Sequence, residues 1–495
     1  MKTLLRAVLV WIPIALTAAK ACAGNVAVIL SSDASLYQEA LEGFREVVRN
    51  GIVSVQTLKE NSAGWRDELK KLRSTIEPDL IFVVGTSALQ AVSSEITNIP
   101  IVHTMVFNPG SVVSPTSKNV FGISMNPTPN QVLALVKELN PKYRRVGVIF
   151  DPSRSAPQIS QARSIAQKEG LDLVARDIRS ARDIAAALNS LERQIDFLWL
   201  WPDEMYLTDD ILQRIFLFSF DRKIPVLGLS ERHTQMGALL SLSYASAKDS
   251  GRQAAEAVNR FLGGVQETAF SQISLRQTKL TVNLKTARKL ALDVPDSIVR
   301  RADNGVKAPA YEEGDWWVFR TKRDYSNGTI RAEDHRVIFK NGKFESDNPA
   351  FLTGSPSAGT PSFLPFASVY LTDPRRKWLD FPLLAGRKWS FRYSRRAGVS
   401  RASSSLSGHA DVDVIGRTAE PVKTPAGTFE AIEISRTDTL NGVGHLTYFY
   451  STETKSVVKL YAETATGKWG PTVRHRFELE LIAYGAAASE SKPPR

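Results

Sequence analysis

The sequence predicts two α/β lobes followed by a separate antiparallel all-β domain, and three observations predict it. From Asn25 to about Leu292, short apolar runs alternate with segments of helical period. That alternation starts afresh near residue 126. Beyond 296–315, strand-like runs follow one another with only turn signals between them. Strand–helix alternation means parallel sheets joined by right-handed crossovers, with helices on both faces. Strands joined by short turns mean antiparallel pairing.

In the first lobe, about 25–125, the run Asn25–Leu30 reads as a strand ending in Ser31-Ser32. Ser35 with Gln38 reads as a capping box. Behind it Leu36, Ala40, Leu41, Phe44, Val47 and Val48 share one helical face. Val53–Leu58 is the next strand, and Trp65, Leu69, Leu72 and Ile76 mark a second helix. Leu80–Val84 is apolar throughout, as a strand buried on both faces must be. Gly85-Thr86-Ser87 opens a third helix, and Ile99–Val106 is the fourth strand.

The second lobe, about 126–270, opens on Thr128-Pro129-Asn130-Gln131, a cap, a first-turn proline and a capping-box glutamine. Val146–Phe150, Leu171–Ala175, Phe197–Trp201 and Ile224–Leu229 are its strands. Ile184–Leu191, Ile211–Phe218 and Ala254–Leu262 are among its helices. Residues 271–295 return across the hinge. The charged stretch 296–312, with Gly305 and Pro309, reads as a linker. The β domain then spans 313–485, with strands from Trp316-Trp317-Val318-Phe319 to Arg474–Ala483 and turns at Asn341-Gly342, Pro425-Ala426-Gly427 and Thr466-Gly467. Gly354–Pro361 and Ala397–Gly408 read as flexible loops, and 486–495 as a disordered tail.

Of 495 residues, 43% are hydrophobic and 23% charged, with a formal net charge of +12. These values exclude a disordered chain and a multi-span membrane protein. The positive charge is spread along the chain, without an arginine-rich arm or zinc-finger spacing, so no nucleic-acid partner is expected. Lys2 and Arg6 precede the apolar run Ala7–Ala19, followed by Ala21-Cys22-Ala23. That is the pattern of a secretory signal over 1–23, too short for a span of about 20 apolar residues. The mature protein is expected outside the cytoplasm, in the periplasm. Cys22, the only cysteine, is either removed with the signal or becomes the lipidated first residue of a lipoprotein. An intramolecular disulfide and any cysteine-based metal site are excluded.

A run of stretches carries a family likeness: Asp79-Leu80-Ile81-Phe82-Val83-Val84-Gly85-Thr86, Ile99-Pro100-Ile101-Val102, Arg145-Val146-Gly147-Val148-Ile149-Phe150, Pro202-Asp203, Gly251-Arg252-Gln253-Ala254-Ala255, and Asn283-Leu284-Lys285-Thr286-Ala287 leading to Val294-Pro295. In order and spacing, about 25–295 resembles the substrate-binding components of ABC transporters, in the subfamily that includes tryptophan-binding members. The resemblance implies the two-lobed periplasmic-binding fold, a small-molecule ligand and an ABC transporter membrane permease as partner. Many relatives have Asp-Pro after the fourth strand; here Asn108-Pro109 stands there, and Ser111–Lys118 replaces a Gly-rich turn. Gly314-Asp315-Trp316-Trp317, Gly386-Arg387-Lys388-Trp389 and Thr424-Pro425-Ala426-Gly427 resemble uncharacterised β domains of bacterial envelope proteins.

Ligands of open parallel sheets sit beyond the carboxyl ends of the strands. In the first lobe those ends offer Ser31, Ser32, Thr86, Ser87, Phe107 and Asn108, and in the second Asp151, Trp201, Asp203, Glu204 and Ser230. Thr86 and Ser87 open a helix, whose N–H groups suit a carboxylate; the plainer role is a helix cap. Asp203 would hold a ligand ammonium, or stand as a loop acid. Trp201 and Phe107 would cover an apolar side chain, though such a tryptophan is more often core; Tyr37 would contribute from the first helix. The six histidines are scattered, with no H-E-x-x-H, and neither a G-x-S-x-G elbow nor a nucleotide loop occurs. No catalytic residue, metal or cofactor is therefore assigned. A basic, aromatic stretch runs from Arg375, Arg376, Lys377 and Trp378 to Arg387, Lys388, Trp389, Arg392, Tyr393, Arg395 and Arg396. It reads as a solvated face over an aromatic core, or as a surface for anionic lipid or cell-wall polymer. The expected function is ligand capture for an ABC importer, with an envelope scaffold or sensor as the alternative.

Overall fold

The computed structural model describes residues 24–58, 65–113, 117–203, 208–264, 272–274, 276–324, 329–347, 379–397, 404–438, 444–466 and 473–486. The expected signal segment with Cys22, Glu204, the loop at 354–361, part of that at 397–408, and the tail from 487 lie outside the described residues. Two compact units form, one on the first sheet, the other on the second sheet together with the β domain.

In chain order the first part gives β1 (Asn25–Leu30), α1 (Ser35–Val47), β2 (Gly51–Thr57), α2 (Trp65–Lys71), β3 (Leu80–Val84), α3 (Thr86–Glu95), β4 (Ile101–Thr104) and β5 (Val120–Ile123). Next come α4 (Pro129–Leu139), β6 (Arg145–Phe150), α5 (Pro152–Lys168), β7 (Asp172–Asp177), α6 (Ile184–Leu191), β8 (Phe197–Leu200), α7 (Asp209–Arg222), β9 (Val226–Gly228), α8 (Glu231–Met236) and β10 (Leu240–Tyr244). Then follow α9 (Ala247–Leu262), β11 (Gln272–Ile273), β12 (Thr278–Val282), α10 (Leu284–Lys289) and α11 (Asp296–Arg301).

The first sheet has the order β11-β5-β4-β3-β1-β2, and its strands pair in parallel. Val26–Leu30 and Leu80–Val84 are buried without interruption, because helices cover both faces of central parallel strands. Phe44 of α1 stacks on Phe82 of β3 with centroids 3.9 Å apart. Helices α1 and α9 touch backbone to backbone: a Cβ on Gly251 would lie 1.9 Å from the Ala40 carbonyl oxygen. Any side chain there would force the helices apart. Ser35 is not the cap of α1 but its first residue; Ala34 occupies the cap position with no side-chain bond.

The second sheet has the order β12-β10-β9-β8-β6-β7, parallel from β7 through β10. Strands β10 and β12 were not legible in the hydrophobic pattern. Both mix polar with apolar residues, and two of the polar ones are buried against each other: Ser241 Oγ lies 2.5 Å from Thr281 Oγ1, and Thr234 Oγ1 of α8 lies 3.2 Å from the same atom.

The stretch expected as a linker is built into this second core. Ile298, Val299 and Ala302, in and just after α11, are buried with Val282, Leu290 and Leu384. Asp303 accepts the Leu280 N–H at 2.8 Å, and Asn304 both accepts from and donates to Val282. The charges of this segment lie on its outer face and hid the apolar triplet. Val306 pairs with Leu383, and Arg288 of α10 donates to the Gly386 carbonyl at 3.2 Å. Arg387, with a side chain only 7% exposed, donates to Asp380 at 2.7 Å, Asp296 at 3.1 Å and the carbonyls of Asp380 and Pro382. This buried cation clasps the β domain to α11.

The β domain contains β13 (Trp316–Asp324), β14 (Ile330–Lys340), β15 (Lys343–Ser346), β16 (Lys388–Ala397), β17 (Ser404–Arg417), β18 (Val422–Thr424), β19 (Gly427–Phe429), β20 (Ile432–Asp438), β21 (Gly444–Ser451), β22 (Ser456–Thr466) and β23 (Val473–Gly485). Nine of them form one antiparallel sheet, β15-β14-β13-β23-β22-β21-β20-β17-β16; β18 and β19 make a separate hairpin. Alternation puts Trp317, Phe319, Leu446, Tyr448, Leu460 and Leu479 into its core. Asn341 and Gly342, with φ of 52° and 69°, join Lys340 to its partner Lys343, the two-residue turn expected of Asn-Gly. Within this core, Arg436 pairs with Asp438 and lies 5.1 Å over the Phe391 ring. An ion pair survives burial when its partners are close and further contacts share the charge.

Candidate binding rims

At the carboxyl ends of the first sheet, Ser31 extends the β1–β3 pairing through its N–H to Val84, 2.9 Å, and is buried. Its Oγ accepts the Ala88 N–H at 2.9 Å. Gly85 precedes α3 with φ of 94°, and its N–H bonds the Thr104 carbonyl at 2.9 Å. A Cβ at Gly85 would lie 2.5 Å from Ser31 Oγ and 2.9 Å from Tyr37 Cζ. Glycine is thus required twice, by its dihedral and by the closeness of Ser31 and Tyr37. The first N–H groups of a helix have no partner within it. Ser31 takes one of those of α3, leaving the N–H groups of half-buried Thr86 and exposed Ser87 as its remaining end donors. Tyr37, a lesser candidate in the sequence, reaches this turn because α1 follows β1 closely.

Ser32 is half-buried and its Oγ accepts the Ala34 N–H at 3.4 Å. Phe107 is 40% exposed, edge-on to Tyr244 at 6.5 Å. Asn108 donates to Ser155 Oγ at 3.4 Å. His103 in β4 is fully buried, and burial pulls its pKa down to about 4, so the ring is neutral.

The ends of the second sheet are different. Asp203 is 1% exposed, and its Oδ2 accepts the Asp151 N–H at 2.7 Å. Asp151 is buried and leads into Pro152, the first residue of α5. Trp201 lies in the apolar core, edge-on to Trp199 at 4.9 Å, the plainer of its two expected roles. Ser230 is the half-buried N-cap residue of α8. His233 one turn later accepts the Leu229 N–H at Nδ1, and burial lowers its pKa. The structure therefore brings Asp151 and Asp203 together, and separately Ser31, Gly85, Thr86 and Ser87.

In the basic stretch, Arg375–Trp378 and the side chains of Tyr393, Arg395 and Arg396 lie outside the described residues. Arg387 is buried in the clasp rather than solvated, and burial lowers its pKa. Lys388 pairs with Asp413 at 2.8 Å. Lys388, Ser390 and Arg392 are exposed, while Phe391 is buried and Trp389 packs against the core. Among the described residues no cluster of three or more His, Cys, Asp or Glu is placed to hold a metal, and no helix is long and apolar enough to cross a membrane.

Residues 24–306 match the model of a family described as ABC transporter substrate binding protein. A tyrosine-binding protein of Clostridioides difficile is 28% identical over 220 residues, which are 43% of this chain and 63% of that one. The chain thus spans less than two thirds of that relative's length. Among solved structures, a conserved domain protein from Vibrio cholerae shares 21% identity with a TM-score of 0.42, covering 57% of this chain and 99% of the other. An ABC domain in complex with L-Trp from Streptococcus pneumonia shares 19% identity with a TM-score of 0.40, over 56% of this chain and 99% of that one. Parallel α/β sheets, a helix opening on unclaimed N–H groups and a family match over more than half the chain converge: the protein belongs to the ABC transporter substrate binding protein family.

Proposed function

We propose that the chain is an exported binding protein that captures a small amino-acid-like carboxylate for an ABC importer. One observation supports the carboxylate above all: Ser31 takes the Ala88 N–H while Thr86 and Ser87 keep theirs at the end of a ten-residue helix. Such donors, with the positive end of the helix dipole, suit an anion. A tyrosine-binding relative supports an aromatic amino acid. Phe107, 40% exposed beyond β4 of the same sheet, would cover its side chain.

Thr86→Pro tests the reading. Proline is tolerated at the first helical position and deletes one N–H donor. Titration calorimetry with tyrosine should show roughly ten-fold or greater weakening in Thr86→Pro, since a charged hydrogen bond contributes about 1.5–3 kcal/mol. Thr86→Ala, which keeps the N–H, should bind more nearly like the wild type. Equal affinities for the wild type and Thr86→Pro would remove this helix end from the site.

A second reading, a sensor whose binding state is passed to the β domain, is favoured by the Arg387 clasp. A domain held by a buried cation is carried by the second sheet's unit rather than trailing from it.

A further inference from the structure

A groove on the second unit, away from its strand ends, has the composition of a separate ligand site. It lies between α6 and α7 and has a volume of about 290 Å³. That is near the lower end of the range for small-molecule sites, about 300–1,000 Å³. Its floor is apolar: Ile184 and Leu188 from α6, Ile211 and Phe218 from α7. Leu217, 61% exposed, adds apolar surface beside it on α7.

The rim is cationic. Arg182, in the turn leading into α6, and Arg214 of α7 both line the groove and are exposed. Among the described residues neither has a carboxylate partner. The other charges of the lining are Asp221 and Arg222, and Arg222 is held by Glu192 at 3.3 Å. The groove therefore carries two uncommitted cations over an apolar floor. Guanidinium groups are weakly hydrated and match carboxylate geometry in a fork. An apolar chain without a charge would leave those cations unanswered, and a small anion without a chain would leave the floor wet.

We propose that this groove binds an anionic amphiphile, a medium-chain carboxylate whose head group meets Arg182 and Arg214 and whose chain lies on Ile184, Leu188, Ile211 and Phe218. The site is independent of the amino-acid reading: none of its residues belongs to the strand-end rims.

The test is calorimetric titration of the full chain with decanoate and with decanol, both kept below their aggregation concentrations. Decanoate should bind below millimolar concentration and decanol at least ten-fold more weakly. Arg182→Ala with Arg214→Ala should weaken decanoate about ten-fold and leave decanol unchanged. Ala185→Trp, at an exposed lining position of α6, should fill the groove and abolish both. Far-UV circular dichroism and the thermal unfolding midpoint serve as the control for folding and should be unaffected in all three substitutions. Absence of decanoate binding at 1 mM in about neutral buffer, where the carboxylate is ionised, would overturn the proposal. So would equal affinities for acid and alcohol, or a double variant that binds decanoate as the wild type does. Loss of tyrosine binding in Thr86→Pro with decanoate binding intact would separate failure at one site from failure at the other.

Discussion

The two parallel sheets share a topology but end in opposite chemistry. In the first sheet a neutral side chain, Ser31, takes one helix donor and leaves two uncommitted at the start of α3. In the second, an acidic side chain, Asp203, is spent on a backbone N–H of the neighbouring strand end. The first rim thus offers donors to an outside group, whereas the second uses its acid to brace the Asp151 turn. A motif at a strand end names the groups that are available; whether they are still available depends on the adjacent strand.

The units also differ in what they carry. The first closes on its own core through the α1–α9 contact, while the second extends through α11 into the β domain. Arg387→Met should give the largest effect. Removing a buried ion's partner costs about 3–5 kcal/mol, with Asp380 left behind in the clasp. Chemical unfolding should show that loss, and limited proteolysis should begin to cut within 302–312, a stretch expected to stay intact in the wild type. Unchanged unfolding and cutting of the wild type within this stretch would show that the β domain is merely tethered.

A pH effect belongs to the first unit. The folded-state pKa of His103 is about 4 against 6.5 for a free histidine. The unfolded chain therefore binds a proton there first as pH falls. Stability from this residue is complete above about pH 6.5 and is lost progressively down to about pH 4. A shift of this size corresponds to about 3 kcal/mol. Unfolding free energy measured between pH 7 and 4 should fall more steeply in the wild type than in His103→Gln. Parallel slopes would show that the ring is not the source.

The rims themselves should separate by substitution. Asp203→Ala leaves the buried Asp151 N–H without its acceptor, a loss of about 1–3 kcal/mol. Asp203→Asn keeps an oxygen in place and should cost less. Chemical unfolding of the two variants would show that order. Equal stability of Asp203→Ala and the wild type would show that the bond braces nothing. The smallest effect is expected from Lys388→Ala, because an exposed ion pair such as that with Asp413 contributes about 0–1 kcal/mol.

Much of the architecture was legible in residue order. β1, β3 and β8 are runs that only a doubly covered strand tolerates, and the Asn341-Gly342 turn followed from its dipeptide. Boundaries such as Ala34 over Ser35 were not legible, since several nearby residues compete for one cap position. β10 and β12 escaped because Ser241 and Thr281 look like surface residues until each becomes the other's partner. The helix opening at Thr86 and Ser87 was visible from the Gly-Thr-Ser that follows an apolar strand. Ser31's bond to Ala88 was not, because 57 residues separate them.

By itself the order of residues determined the strand–helix rhythm, the change to antiparallel strands, and the glycine at position 85, because these rest on local periodicity and on dihedral angles that one residue type tolerates. Tertiary structure alone decided which polar groups were already satisfied. Asp203 meets Asp151 across 52 residues, and Arg387 meets Asp296 across 91. A charge in a sequence carries no mark of its partner. Whether it faces water, ligand or another charge is settled only when packing removes the solvent around it and makes an unpaired ion too costly to keep.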